Sequence, residues 1–206
     1  MNVTLTVVNK DVNLAAQSVL AYLKPQGSND DWLAAAWASC NPQQGGKSRL
    51  PVINNDVGAF ATYNGGADVT ATVLIPNQNI STISQSGLSV TMGQPVVDTA
   101  DLTPKQSGVK NTTKLTDLYA VWCLNGSSVC KTANPMMNTG ISSFELTQSV
   151  YFTIGSQQKT ETFIVQNWTA ITQISLASNL VSADIIVAID KSTNTPTFTL
   201  TNPVYS

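Results

Sequence analysis

The chain has 206 residues, a net charge of −2, 11% charged residues and no histidine. With 42% hydrophobic residues it can bury a sizeable core, which excludes a disordered chain, and its ten Lys and Arg form no cluster that would grip a polyanion, so no nucleic acid partner is expected. Thr, Ser, Asn and Gln stand where charges are missing, giving the weakly charged polar surface that suits an exported or self-associating β protein.

The predicted elements, in chain order, are mostly strands. The opening MNVTLTVVNK lacks the basic and long apolar regions of a signal peptide. Period-two alternation begins at once in Thr4–Asn9 and returns in Ser18–Leu23. Between Ser28 and Cys40 the pattern changes. An N-cap-like Ser or Asn, acids in the first turn and an Ala-rich run with Leu33, Ala36 and Trp37 on one face predict a short helix over Asp30–Ser39, its Trp pair covering the core. Strands are predicted again over Asp68–Ile75, Leu88–Met92, Leu118–Leu124, Val150–Ile154, Thr160–Val165, Val181–Asp190 and Thr195–Thr201. In Val181–Asp190, the residues Val181, Ala183, Ile185, Val187 and Ile189 share a face. Gly, Asn, Pro and Ser clusters separate these segments. The pattern predicts an all-β fold: one antiparallel, jelly-roll-like β-sandwich domain over residues 1–206, with one short helix near the N-terminus. The longest apolar run, Leu33–Ala38, has six residues, far short of the ~18 of a membrane span, so no transmembrane segment is expected.

The stretch AVWCLNGSSVCK, residues 120–131, carries Cys123 and Cys130 around Asn125-Gly126. Three cysteines without histidine cannot supply the four ligands of a structural zinc site, and the spacing is not C-x-x-C. A four-residue loop, Asn125–Ser128, would set Cys123 opposite Cys130 at a separation a disulfide accepts. A two-residue Asn-Gly turn would set Cys123 opposite Ser128 and leave two structural thiols. The disulfide is the expectation. It points to an extracellular or cell-surface setting, with a cytoplasmic one left open by the lack of a leader. Cys40 reads as a buried, inert thiol.

Other constellations are weak. Gly46-Lys47-Ser48 resembles the tail of a phosphate loop, but Asn41 stands where its first Gly belongs. Glu145 and Glu161 are the two glutamates that a glycosidase would need across a cleft. Asp98 with Asp101, and Asp30 with Asp31, fit solvated turns or caps better than a calcium site. Five N-x-S/T sequons, at Asn2, Asn79, Asn111, Asn125 and Asn167, follow from the composition. No catalytic residue, metal or cofactor is expected. For glycans, the candidate stacking aromatics are Trp168, Tyr63 and Trp122, with Trp168 the one expected to be exposed.

The C-terminal half, from SVYFTIGSQQKTETFIVQNWTA to STNTPTFTL, resembles the end of the RhiA-like, rhizosphere-expressed β-rich proteins. There an aromatic strand precedes a spaced isoleucine stretch and a final hairpin. LTVVN, VLAYLKP and AAAWASC are similar to that family's N-terminal segments, and LSVTMGQPVV loosely to a further strand. GGKSRLPVINNDVGAFATY and the Cys123–Cys130 segment depart from it. The resemblance implies a β protein with no established catalytic residues, so no site carries over.

The expected function is therefore non-catalytic: a structural, self-associating β-sandwich, the subunit of a filament or oligomer, with itself as partner. Alternatives are a lectin-like carbohydrate-binding module, with glycans as partners, and a membrane-active, toxin-like sandwich. Association is expected at the terminal strands. NVTLTVVN reaches Lys10 without a charge, and the last strand, with Thr197, Thr199 and Thr201 outward, has none.

Overall fold

The computed structural model describes residues 2–15, 17–26, 31–156, 162–164, 166 and 171–206. Alternating apolar and polar side chains make most of this a sandwich-like all-β fold, with nineteen strands in four hydrogen-bonded sheets. One sheet runs β19 (Thr195–Tyr205), β18 (Leu180–Asp190), β1 (Thr4–Asn9), β5 (Lys47–Arg49). A second runs β17 (Thr172–Ser175), β16 (Leu146–Ser156), β2 (Gln17–Pro25), β4 (Ala38–Cys40). A third runs β3 (Trp32–Ala34), β14 (Ser127–Thr132), β13 (Tyr119–Leu124), β6 (Val57–Tyr63), β7 (Asp68–Val69), with β8 (Val73–Leu74) also on β6. The fourth runs β10 (Ser89–Met92), β9 (Asn79–Ser86), β12 (Ser107–Asn111), β15 (Ile141–Phe144), with β11 (Val96–Val97) also on β9. Pairing is antiparallel except between β1 and β18 and between β9 and β12, which run parallel. The alternation alone gave no sign of those two pairings.

All four sheets feed one buried cluster, to which they contribute Val7, Phe152, Trp122 and Ile83 respectively. Aromatic stacks join them. Phe152 of β16 stacks on Phe198 of β19 at 5.5 Å between ring centroids, and Trp122 of β13 on Phe144 of β15 at 5.2 Å. Offset stacks of this kind contribute about 0.5–1.5 kcal/mol beyond area burial. Two fully buried asparagines hold the loops that leave their strands. Asn9 donates to the carbonyls of Val12 and Pro42, and Asn111 to those of Met136 and Met137.

Three expectations change. Where a helix was expected over Asp30–Ser39, the described residues form β3 and β4 (Asp30 lies outside them). The segment Ala34–Ala38 is wholly buried, with Ala34 paired to Cys130 and the Ala35 amide donating to Val129. The alanines are there because sheets close over them, and that packing overrides helix propensity. Trp32 and Trp37 are buried, so the core role assigned to them stands.

Second, the N-terminal strand is not an edge: β1 lies between β18 and β5.

Third, Cys123 and Cys130 form no disulfide. The turn is the two-residue one. Asn125 and Gly126 take φ 51° and 78°, and Cys123 pairs with Ser128. A bulge then brings Cys130 opposite Trp122. All three cysteines are free thiols.

Candidate functional site

Two features combine accessibility with unsatisfied hydrogen-bonding groups: a sheet edge and a cleft. The edge is β19, which among the described residues pairs with β18 alone. Which of its backbone groups are free follows from β18. The Lys10 N–H donates to the Val187 carbonyl at 2.9 Å, and the Ile189 N–H donates to Asp11 Oδ1 at 2.9 Å. Val187 and Ile189 therefore turn their backbone away from β19. Their partners Phe198 and Pro196, and by alternation Leu200, turn theirs away from β18. The N–H groups of Phe198 and Leu200 and the carbonyls of Pro196, Phe198 and Leu200 line the free edge.

The side chains alternate across it. Phe198 is buried and Leu200 packs beside it against the core, while Thr199 is exposed and Thr197 and Thr201 are half-buried on the other face. The Thr197 hydroxyl donates to the Ala188 carbonyl at 3.2 Å. Farther along, the pairing with β18 shifts register and Asn202 adopts φ 49°, so the straight part of the edge ends near Thr201.

The cleft, of about 520 Å³, lies where the second, third and fourth sheets meet. Gln26 follows β2, Asn55 precedes β6, Asn77 and Lys105 come from loops flanking β9 and β12, and Glu145 is the single residue between β15 and β16. Past Glu145, β16 bulges: Leu146 pairs with Pro25 and Val150 with Leu23, leaving three residues opposite Lys24. The Thr147 hydroxyl pins the bulge to the Lys24 carbonyl at 2.8 Å, and the Leu176 amide donates to the Gln148 carbonyl at 2.8 Å. Gln148 is thereby held with its side chain exposed in the cleft lining. Strand bulges of this kind re-aim side chains beside binding sites. A larger cavity of about 630 Å³ lies across β15 and is lined by Trp32, Thr132, Met136, Met137 and Ile141.

The predicted aromatics do not converge. Trp122 is fully buried, with its indole N–H donating to Ser142 Oγ at 3.1 Å, so it cannot stack on a ligand. Both faces of its strand are buried from Ala120 to Leu124. Tyr63 is half-buried beside a shallow hollow whose carboxylates serve the fold: Asp117 accepts from the Gly65 amide and Asp68 from Asn64. Trp168 lies outside the described residues, as does Glu161, the proposed partner of Glu145. Asp98 accepts from the amides of Ala100 and Asp101, which is the turn role expected of it.

Burial pushes the Cys40 and Cys123 thiols up to about 11, and burial followed by the Cys123 charge raises Cys130 well above its ordinary value. Neutral thiols are poor nucleophiles and poor metal ligands. The cleft amides were missed because lone Asn and Gln are everywhere in this composition, and no spacing marks those that a fold gathers.

No family model matches this chain, and no curated protein or solved structure matches it.

Proposed function

We propose that this chain is a non-catalytic, self-associating β-sandwich protein whose copies join through the free edge of β19. One observation carries the reading: β19 is an uncharged edge strand whose run before the register shift, Thr195–Thr201, has seven residues, whereas the outer strands β3, β4, β5, β7, β10, β15 and β17 have two to four. Proteins that stay apart keep their edges short, charged or bulged. A second β19 is the matching partner. Like edges pair across a twofold axis, and such a contact closes on itself as a dimer from which larger oligomers are built. With Phe198 and Leu200 presenting their backbone, the axis falls at Thr199, and each copy's Phe198 exchanges two hydrogen bonds with the other's Leu200.

The magnitude is modest. Four main-chain bonds contribute roughly 2–6 kcal/mol, against a cost of association of about 4 kcal/mol or more. Exposed Val181, Val204 and Tyr205 lie past the register shift, outside the straight run that pairs. The dissociation constant is expected in the millimolar range.

The test is sedimentation velocity over that range on wild type and Thr199→Lys. The substitution sets two ammonium groups about 4.5 Å apart by Cα across the axis, and like charges so placed cost several kcal/mol. Association should weaken roughly a hundredfold while circular dichroism stays unchanged. Association indifferent to this charge removes β19 from the contact, and a wild type monomeric at millimolar concentration ends the reading.

A further inference from the structure

The junction cleft has the composition of a site for a neutral, polyhydroxylated ligand, and we propose that it binds a saccharide. Its position uses none of the aromatics that the sequence offered for such a role, and it does not depend on the β19 edge.

The backbone around the cleft is tied down while the side chains that face it are not. Asn54 donates to Asp56 Oδ2 and accepts from the Asp56 amide at 2.9 Å, which fixes the turn carrying Asn55. Asn79 donates to the Asn77 carbonyl at 2.9 Å, and Gln106 closes the turn that carries Lys105 by accepting from the Thr103 amide at 3.0 Å. The Gln26 amide donates to the Glu145 carbonyl at 2.9 Å, which ties the end of β2 to the crossing between sheets. Among the described residues, the side chains of Gln26, Asn55, Asn77, Lys105, Glu145 and Gln148 have no protein partner. The fixed backbone leaves only side-chain rotamers for a ligand to order, at about 0.5–1.5 kcal/mol for each long side chain immobilised.

The chemistry selects the class. Four of these six side chains are amides, each offering donors and an acceptor, which is the dual character of a sugar hydroxyl. Lys105 and Glu145 contribute one charge of each sign, so neither an anion nor a cation is favoured. One carboxylate is too few for a calcium cage, and one ammonium too few for a phosphate clamp. Of the apolar lining, Val57 and Phe144 are buried and Leu146 is half-buried, which leaves little surface for a hydrophobic molecule. At about 520 Å³ the cleft falls within the range of small-ligand sites.

Saturation-transfer NMR on the purified protein provides the test, with maltotriose, cellotriose, mannotriose and triacetylchitotriose as neutral probes and trigalacturonate as the anionic one. At least one neutral trisaccharide should receive saturation. Gln148→Ala and Asn77→Ala, both at exposed positions, should each weaken its binding about fivefold and together by more than tenfold. Tyr63→Ala should leave it within about twofold, since that ring borders a separate hollow. No transfer to any neutral probe, transfer to trigalacturonate alone, or binding that survives the double substitution would each overturn the proposal. Each of these results leaves the β19 contact standing, because the sedimentation experiment uses no sugar.

Discussion

The two edges of the first sheet solve the same problem in opposite ways. At one edge, β5 has three residues, and two of them, Lys47 and Arg49, are cations. Their cross-strand partners on β1 are Val8 and Thr6, and the Arg49 guanidinium also donates to Thr4 Oγ1 at 3.1 Å. At the other edge, β19 runs eleven residues without a charge, and its Phe198 is inserted into the core. A strand added to β5 would find few backbone groups and would have to come close to two cations. A strand added to β19 finds a straight run from Pro196 to Leu200 with its donors and acceptors exposed. The sheet is protected on one side and receptive on the other, so edge protection here is a choice made strand by strand and not a property of the fold.

The contrast can be broken most forcefully in the core. Phe198→Ala removes the stack on Phe152 and should destabilise the monomer by about 3 kcal/mol in urea unfolding, whereas Ser48→Ala on β5 should stay within about 0.5 kcal/mol. Equal effects would mean that the two edges are anchored alike. Next in size is the removal of the guard. If length protects β5 as much as charge does, Lys47→Thr combined with Arg49→Thr should change self-association by no more than about threefold. A large gain would make charge the sole guard.

The thiols give a check that neither edge should influence. Unfolded thiols ionise near 9.0, while Cys40 and Cys123 remain neutral in the folded chain until about 11. Between those values the unfolded chain has released protons that the native one keeps, so stability should decline as pH rises from about 9 to about 11 and be unaffected by the thiols below it. The decline should be shallower in Cys123→Ser and the same in Thr199→Lys as in wild type. Thiol titration of the unfolded, unreduced protein should find three reactive groups, and a count of one would restore the hairpin disulfide.

Much of this was legible in the residues. Thr4–Asn9 is a strand over the whole predicted range because its alternation is unbroken, and Ala183, Ile185 and Val187 share a buried face as their spacing requires. Val181 leaves that face because β18 shifts register beside it, and no local pattern announces a bulge. The Ala run misled because the same small side chains that favour a helix also fit between closing sheets. The cysteine register hinged on the turn: Asn-Gly favours two residues with positive φ, and that local preference prevailed. The β19 edge was visible as an uncharged strand. The cleft was not, because it is assembled from single residues at the ends of many strands.

The parallel pairing of β1 with β18 has a consequence for how the molecule is made. Asp11 and Ile189, bonded through the Asp11 carboxylate, are 178 positions apart, and β1 cannot complete its sheet until β18 exists. On a ribosome, Leu5 and Val7 would wait with one flank unpaired until β18 has been made. Topology of this kind makes folding slow and leaves the nascent chain open to aggregation until β18 and β19 arrive. A chain arrested before Leu180 should therefore be a substrate for chaperones and proteases, however complete its other three sheets.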